Sequence, residues 1–138
     1  MLRSPRVLLL STDETETALL QDLLNEHAIL TPAGNLTELA ALLKSNSYDA
    51  LFCAWSFQRG TWEEAVRSLQ ESHPGLPVIV LSSSPENREW AEVLEAGAFD
   101  LLVPPYEQRA VLAVLEHASA SCEALASWYD DPFLQAGA

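Results

Sequence analysis

In a sheet packed between helices, chemistry falls to the side chains at the carboxyl ends of the strands, which face the crevice between the connections. The apolar run Tyr48-Asp49-Ala50-Leu51-Phe52-Cys53-Ala54-Trp55 brings Ala54 or Trp55 to that position on a central strand. A methyl group there can serve as no acid, base, nucleophile or metal ligand. Another polar stretch is Ser11-Thr12-Asp13-Glu14-Thr15-Glu16-Thr17. Its hydroxyls faintly suggest a phosphate loop, but such a loop needs exposed backbone N–H groups, usually on glycines. This stretch has no glycine, and its three acids repel a phosphate. Cys53 lies inside the central strand, where a thiol is a small core residue. His27 stands near the end of a helical pattern, where it suits the helix dipole. With no paired catalytic groups at any strand end, the expectation is a protein that is not an enzyme and holds no cofactor or metal.

The chain's 138 residues suffice for one domain with a buried core. Net charge is −13, from 7 basic and 20 acidic side chains. Binding to a nucleic-acid backbone needs clustered cations, whereas Arg3, Arg6, Lys44, Arg59, Arg67, Arg88 and Arg109 are scattered. Nucleic acid and anionic membrane are therefore not expected partners; a basic protein surface is. No run approaches the roughly 20 apolar residues of a membrane span. The basic start Met1-Leu2-Arg3-Ser4-Pro5-Arg6 leads into a run too short for a signal peptide. The expected location is cytoplasmic, with both cysteines reduced.

The elements that position these residues follow from periodicity. Arg6 to Leu10 is a first strand. Ser11 with Glu14, or Asp13 with Glu16, fits a capping box. Leu19, Leu20, Leu23 and Leu24 then predict a helix over about residues 13 to 27. Residues 28 to 33 form a second strand, placed near an edge by Pro32. Leu36, Leu39, Leu42 and Leu43 mark a helix ending near Asn46. After the central strand, 56 to 60 is a loop and Thr61 caps a third helix facing Ala65, Val66 and Leu69 inward. Residues 77 to 81 form a fourth strand, Ser84-Pro85 opens a fourth helix, and Gly97 ends it. Residues 98 to 103 make the fifth strand, and a last helix begins near Tyr106. Five strands alternating with five helices imply an α/β fold: a five-stranded parallel sheet, doubly wound as a (βα)5 flavodoxin-like three-layer sandwich.

The order and spacing of these pieces resemble the receiver domain of bacterial two-component response regulators over about residues 5 to 118. The landmarks are Arg6 to Leu10, Tyr48 to Cys53, Pro77-Val78-Ile79-Val80-Leu81-Ser82, Ala96-Gly97-Ala98-Phe99-Asp100 and Val103-Pro104-Pro105-Tyr106. The resemblance implies a phosphorelay signalling module, but the residues depart from it at the phosphorylation pocket. The acidic pair that holds magnesium in receivers is replaced by Ser11 and Thr12. The phosphoacceptor aspartate becomes Ala54, the phosphoryl-pairing lysine becomes Pro104, and the aromatic switch becomes Leu101. Ser82 keeps the family's hydroxyl. Magnesium wants hard, charged oxygen ligands, and alanine offers no nucleophile for an acyl phosphate. Asp13 is not expected to stand in as acceptor, because a carboxylate in a helix's first turn is favoured electrostatically. The expected pocket of Ser11, Thr12, Asp13, Ala54, Ser82 and Pro104 is therefore degenerate.

Glu86, Glu89, Glu92 and Glu95 fan over about half of the fourth helix, with Trp90, Val93 and Leu94 opposite. In receivers the face of the fourth helix, fifth strand and fifth helix is the usual dimer or partner surface, which points to Glu89, Glu92, Leu101, Arg109, Leu115, Cys122 and Leu125. Val111, Leu115, Ala118, Cys122, Leu125 and Tyr129 are spaced as a short heptad-like seam. This divides the chain into a receiver-like domain, 1–118, and an extended C-terminal helix and tail, 119–138, in which Trp128 and Phe133 could anchor an interface. The expected function is phosphorylation-independent contact with a signalling protein or with a second copy, as a homodimer. The alternative is a small-ligand or flavin binder using the same crevice, with Trp55 and Trp62 at its flanks.

Overall fold

The computed structural model describes residues 4–82 and 90–130, the last of these, 122–130, by their backbone alone. In chain order the elements are β1 (Arg6–Leu10), α1 (Glu14–Leu24), β2 (Ile29–Ala33), α2 (Leu36–Ser45), β3 (Ala50–Ala54), β4 (Ser56–Phe57), β5 (Gly60–Thr61), α3 (Trp62–Ser72), β6 (Val78–Leu81), α4 (Trp90–Glu95), β7 (Asp100–Leu102) and α5 (Gln108–Asp130). The main sheet is parallel, in the order β2-β1-β3-β6-β7.

The continuous apolar runs exist because the inner strands are buried on both faces. Leu8, Leu10, Leu51, Cys53, Val80 and Leu101 point to one face, against Leu39 of α2, Val66 of α3 and Val93 of α4. Val7, Leu9, Phe52, Ile79 and Leu81 alternate to the other, against Leu20 and Leu24 of α1 and Val111, Leu115 and Ala118 of α5. The result is the expected three-layer, doubly wound sandwich, with β2 at an edge. Asp49, buried just before β3, accepts from the Arg6 N–H at 2.8 Å and so pins the start of β1 beside it.

Several boundaries differ from the sequence expectation. Helix α1 stops at Leu24, because Asn25 leaves the helical region and Glu26 takes a left-handed φ of 70°. His27 therefore lies past the helix, in a turn closed by its N–H to the Leu24 carbonyl. The loop after β3 is a small antiparallel hairpin, β4 with β5, whose tip Arg59 has φ 66°. Phe57 anchors that hairpin in the core. Thr61 is the N-cap of α3, with no side-chain cap bond. Gly97 closes α4 at φ 112°, as a residue past a helix end often does. Of the acidic fan, Glu92 and Glu95 are exposed, while Glu86, Glu89 and the Ser84-Pro85 start lie outside the described residues. Trp90 and Leu94, placed inward by periodicity, are about half exposed; among that group Val93 alone is buried.

Candidate functional site

The crevice forms at the carboxyl ends of β1, β3 and β6, with a volume of about 450 Å³. All six residues expected at the pocket line it: Ser11, Thr12, Asp13, Ala54, Ser82 and Pro104. Ala54 is the last residue of β3 and is only 5% exposed. Ser11 and Ser82, just past β1 and β6, are buried. Ser82 donates its N–H to the Leu102 carbonyl at 2.8 Å, which fixes it to β7. Pro104 enters from the β7–α5 connection, where the Pro104–Pro105 peptide is cis.

Asp13 is the N-cap of α1 rather than a first-turn residue. Its Oδ1 accepts from the N–H groups of Thr15, at 2.9 Å, and Glu16, at 3.2 Å. This is the second of the two capping registers, and it is half a capping box. The N–H of Asp13 donates to Ser11 Oγ at 3.1 Å and not to the Glu16 carboxylate.

Glu16 instead turns into the crevice, a position the sequence did not reveal. Ser11 Oγ donates to its Oε1 at 2.9 Å, and Tyr106 Oη stands 3.5 Å from its Oε2. Tyr106 Oη also donates to the Ser82 carbonyl at 2.9 Å. Burial pushes the Glu16 carboxyl up from its ordinary value; the Ser11 hydroxyl opposes this, and the Asp13 charge adds to it. Burial, followed by the Glu16 charge, pushes the Tyr106 phenol up, so it keeps its proton. Burial does the same to the Cys53 thiol, which faces the core as an inert residue. No single stretch of sequence could have shown the Glu16–Tyr106 pair, which lies 90 residues apart. The available signal was that Glu16 and Tyr106 each follow a strand end closely.

Among the described residues lining the crevice, Asp13 and Glu16 are the charged ones and both are acids. The crevice is thus poorly suited to a phosphoryl or carboxylate group. Among the described residues no group of three or more His, Cys, Asp and Glu is placed to hold a metal ion. Trp55 lines the crevice, but Trp62 does not: it is buried in the core with its ring centroid 5.6 Å from that of Trp55.

The expected interface residues are dispersed. Glu92 and Arg109 are exposed. Leu101 and Leu115 are 2% and 3% exposed, committed to the domain's own two core layers and not offered to a second chain. Glu89 lies outside the described residues, as do the side chains of Cys122 and Leu125. Among the described residues no helix is long and apolar enough to cross a membrane.

Comparison with known proteins bears on this fold. A search of curated proteins returned no match. Among solved structures, the chain is similar to the signal receiver domain of an HD domain-containing protein from Pseudomonas fluorescens Pf-5, with 22% identity and a TM-score of 0.81 over 92% of this chain and 95% of that one. It is similar to NtrX from Brucella abortus in complex with ATP, with 18% identity and a TM-score of 0.83 over 93% of this chain and 30% of that one. The beryllofluoride-activated NtrC4 receiver domain dimer matches with 21% identity and a TM-score of 0.75, over 85% of this chain and 98% of that one. At such identities these neighbours establish the fold alone. The family model described as the response regulator receiver domain matches residues 7–116, which run from β1 into α5. With the sheet order, the crevice and that match in agreement, the chain belongs to the response regulator receiver domain family.

Proposed function

We propose that this receiver domain is a signalling module that works without phosphorylation, through contact with a protein partner or with a second copy of itself. The observation that carries this reading is Ala54, buried at the end of β3 on the floor of the crevice. A methyl group cannot form an acyl phosphate. Its surroundings agree: among the described residues the charged ones lining the crevice are acids, and Ser11 and Thr12 offer magnesium only neutral oxygens. The partner surface is the side bearing α4, β7 and α5, where Trp90, Leu94, Glu92 and Arg109 are exposed. Its two half-exposed apolar side chains beside acids suit a partner with apolar and basic groups.

The test is a titration with beryllofluoride and magnesium, read by the tryptophan fluorescence, to which Trp55 at the crevice contributes. The expected result is no saturable change. A saturable, magnesium-dependent change overturns the reading. Light scattering of the full chain separates self-association from binding to another protein.

A small-ligand role is the second reading, supported by the crevice volume, which lies within the range of ligand sites. A phosphate-bearing flavin is disfavoured by Asp13 and Glu16. Purified protein that carries flavin absorbance would reinstate it.

A further inference from the structure

The wall of the crevice holds a row of hydrogen-bonding groups with one proton too few. The N–H of Asp13 donates to Ser11 Oγ at 3.1 Å, and Ser11 Oγ–H donates to Glu16 Oε1 at 2.9 Å. From the other side, Tyr106 Oη has two acceptors within reach, the Ser82 carbonyl at 2.9 Å and Glu16 Oε2 at 3.5 Å. A phenol has a single proton to give. The shorter contact, to the carbonyl, takes it. Tyr106 Oη then presents lone pairs to Glu16 Oε2. An ionised carboxylate meets that oxygen with nothing to share, whereas a carboxylic acid donates to it.

We propose that Glu16 is a proton-controlled tie between the start of α1 and the β7–α5 connection, closed when Oε2 carries a proton. In the closed form the donors run unbroken from Asp13 N–H through Ser11, Glu16 and Tyr106 to the Ser82 carbonyl. The tie joins segments following β1, β6 and β7, three connections at the carboxyl end of the sheet. Its geometry does not depend on whether Ala54 has replaced a phosphoacceptor, so it stands apart from the function proposed above.

Burial and the negative charge of Asp13, at the cap of the same helix, favour the protonated form of Glu16 against the Ser11 hydroxyl, which favours the carboxylate; the Tyr106 phenol beside it keeps its proton and is neutral. Among the described residues no Lys, Arg or His lines the crevice to hold the carboxylate in its charged form. The upward displacement of the Glu16 carboxyl by burial agrees with this.

The test is a carbon-detected NMR titration of the Glu16 carboxyl in the full chain, with Tyr106→Phe beside the wild type. If Tyr106 accepts the Glu16 proton, removing the hydroxyl withdraws support from the acid form and the midpoint falls. If Tyr106 donates to the carboxylate, the same change raises it. A raised or unchanged midpoint overturns the proposal. Glu16→Gln gives a second measurement, because its amide N–H donates to Tyr106 at every pH while its carbonyl still accepts from Ser11. Amide-exchange protection of Val103, Tyr106 and Glu107, which carry the backbone N–H groups of that connection, is expected at neutral pH to be higher in Glu16→Gln than in the wild type, with the difference vanishing in acid. Equal protection at neutral pH overturns the tie.

Discussion

If Asp13 serves as the cap of α1, replacing it with alanine should unfasten the helix start at a definite cost. The substitution Asp13→Ala removes one acceptor that serves two N–H groups, at 2.9 and 3.2 Å. Loss of such a cap costs typically about 1 kcal/mol. Loss of a carboxylate at a helix N-terminus adds about 0.3–1 kcal/mol. Two features hold the total down: both bonds are exposed, so water replaces them in part, and Asp13 repels Glu16, so its removal relieves that charge. The net loss is therefore about 1–1.5 kcal/mol, which at a urea slope of about 1–3 kcal/mol per molar moves the midpoint by roughly 0.3–1.5 M. Asp13→Asn keeps a side-chain acceptor of equal capping strength and removes only the charge, so it should cost less than about 0.5 kcal/mol. Urea unfolding of the three proteins at neutral pH is the assay. If Asp13→Ala matches the wild type, or if Asp13→Asn costs as much as Asp13→Ala, then the carboxylate is not acting as a cap. A role elsewhere in the crevice, including that of a displaced acceptor, would reopen.

Three further outcomes follow from the same contacts. Burial raises the Glu16 carboxyl above its ordinary 4.5 in the fold, so folding takes up a proton between that value and the folded midpoint. Its contribution to stability is fully present below 4.5 and is lost as pH rises through the folded midpoint. Glu16→Gln is therefore expected to unfold at higher urea than the wild type at neutral pH, with the gap closing in acid; a gap independent of pH would contradict this. Gly97→Ala forces a Cβ into the Gln70 side chain at a φ of 112° and is expected to cost about 1–3 kcal/mol by calorimetry. Phe52→Ala opens a cavity in a fully buried position of β3 and is expected to cost about 3–5 kcal/mol, read as a lowered thermal midpoint.

The sheet was legible in the sequence because burial on both faces leaves continuous apolar runs such as Val7 to Leu10 and Val78 to Leu81, and because Pro32 marks an edge. The six crevice positions were legible too, since each stands at or just past a strand end and strand ends converge by topology. What local spacing could not show was how far each face is covered. Helical periodicity grouped Trp90, Val93 and Leu94 together, but tertiary packing buries Val93 and leaves its two neighbours about half exposed. Leu101 and Leu115 were named as interface candidates by family resemblance, Leu115 with a core role as well, and the packing of this chain uses both in its core. The β4–β5 hairpin escaped notice because two-residue strands carry no period. Glu16 looked like a cap partner because its spacing from Asp13 fits one; the hydroxyl that captures it comes from Ser11, outside the box.

Strand β2 leaves one flank of the sheet open, and its backbone decides what can happen there. Ile29 donates to the Pro5 carbonyl and Ala33 accepts from Ser11, so the odd-numbered residues turn their peptide groups toward β1. The peptide groups of Leu30 and Pro32 therefore look outward, and Pro32 has no hydrogen to give. Between Ile29 and Ala33 the rim retains one outward amide donor, at Leu30. An invading chain needs a regular ladder of such donors, so this border resists recruitment into a continuous intermolecular sheet. Crowded copies of the molecule are steered away from fibre-like stacking along that rim, toward contacts made by side chains instead.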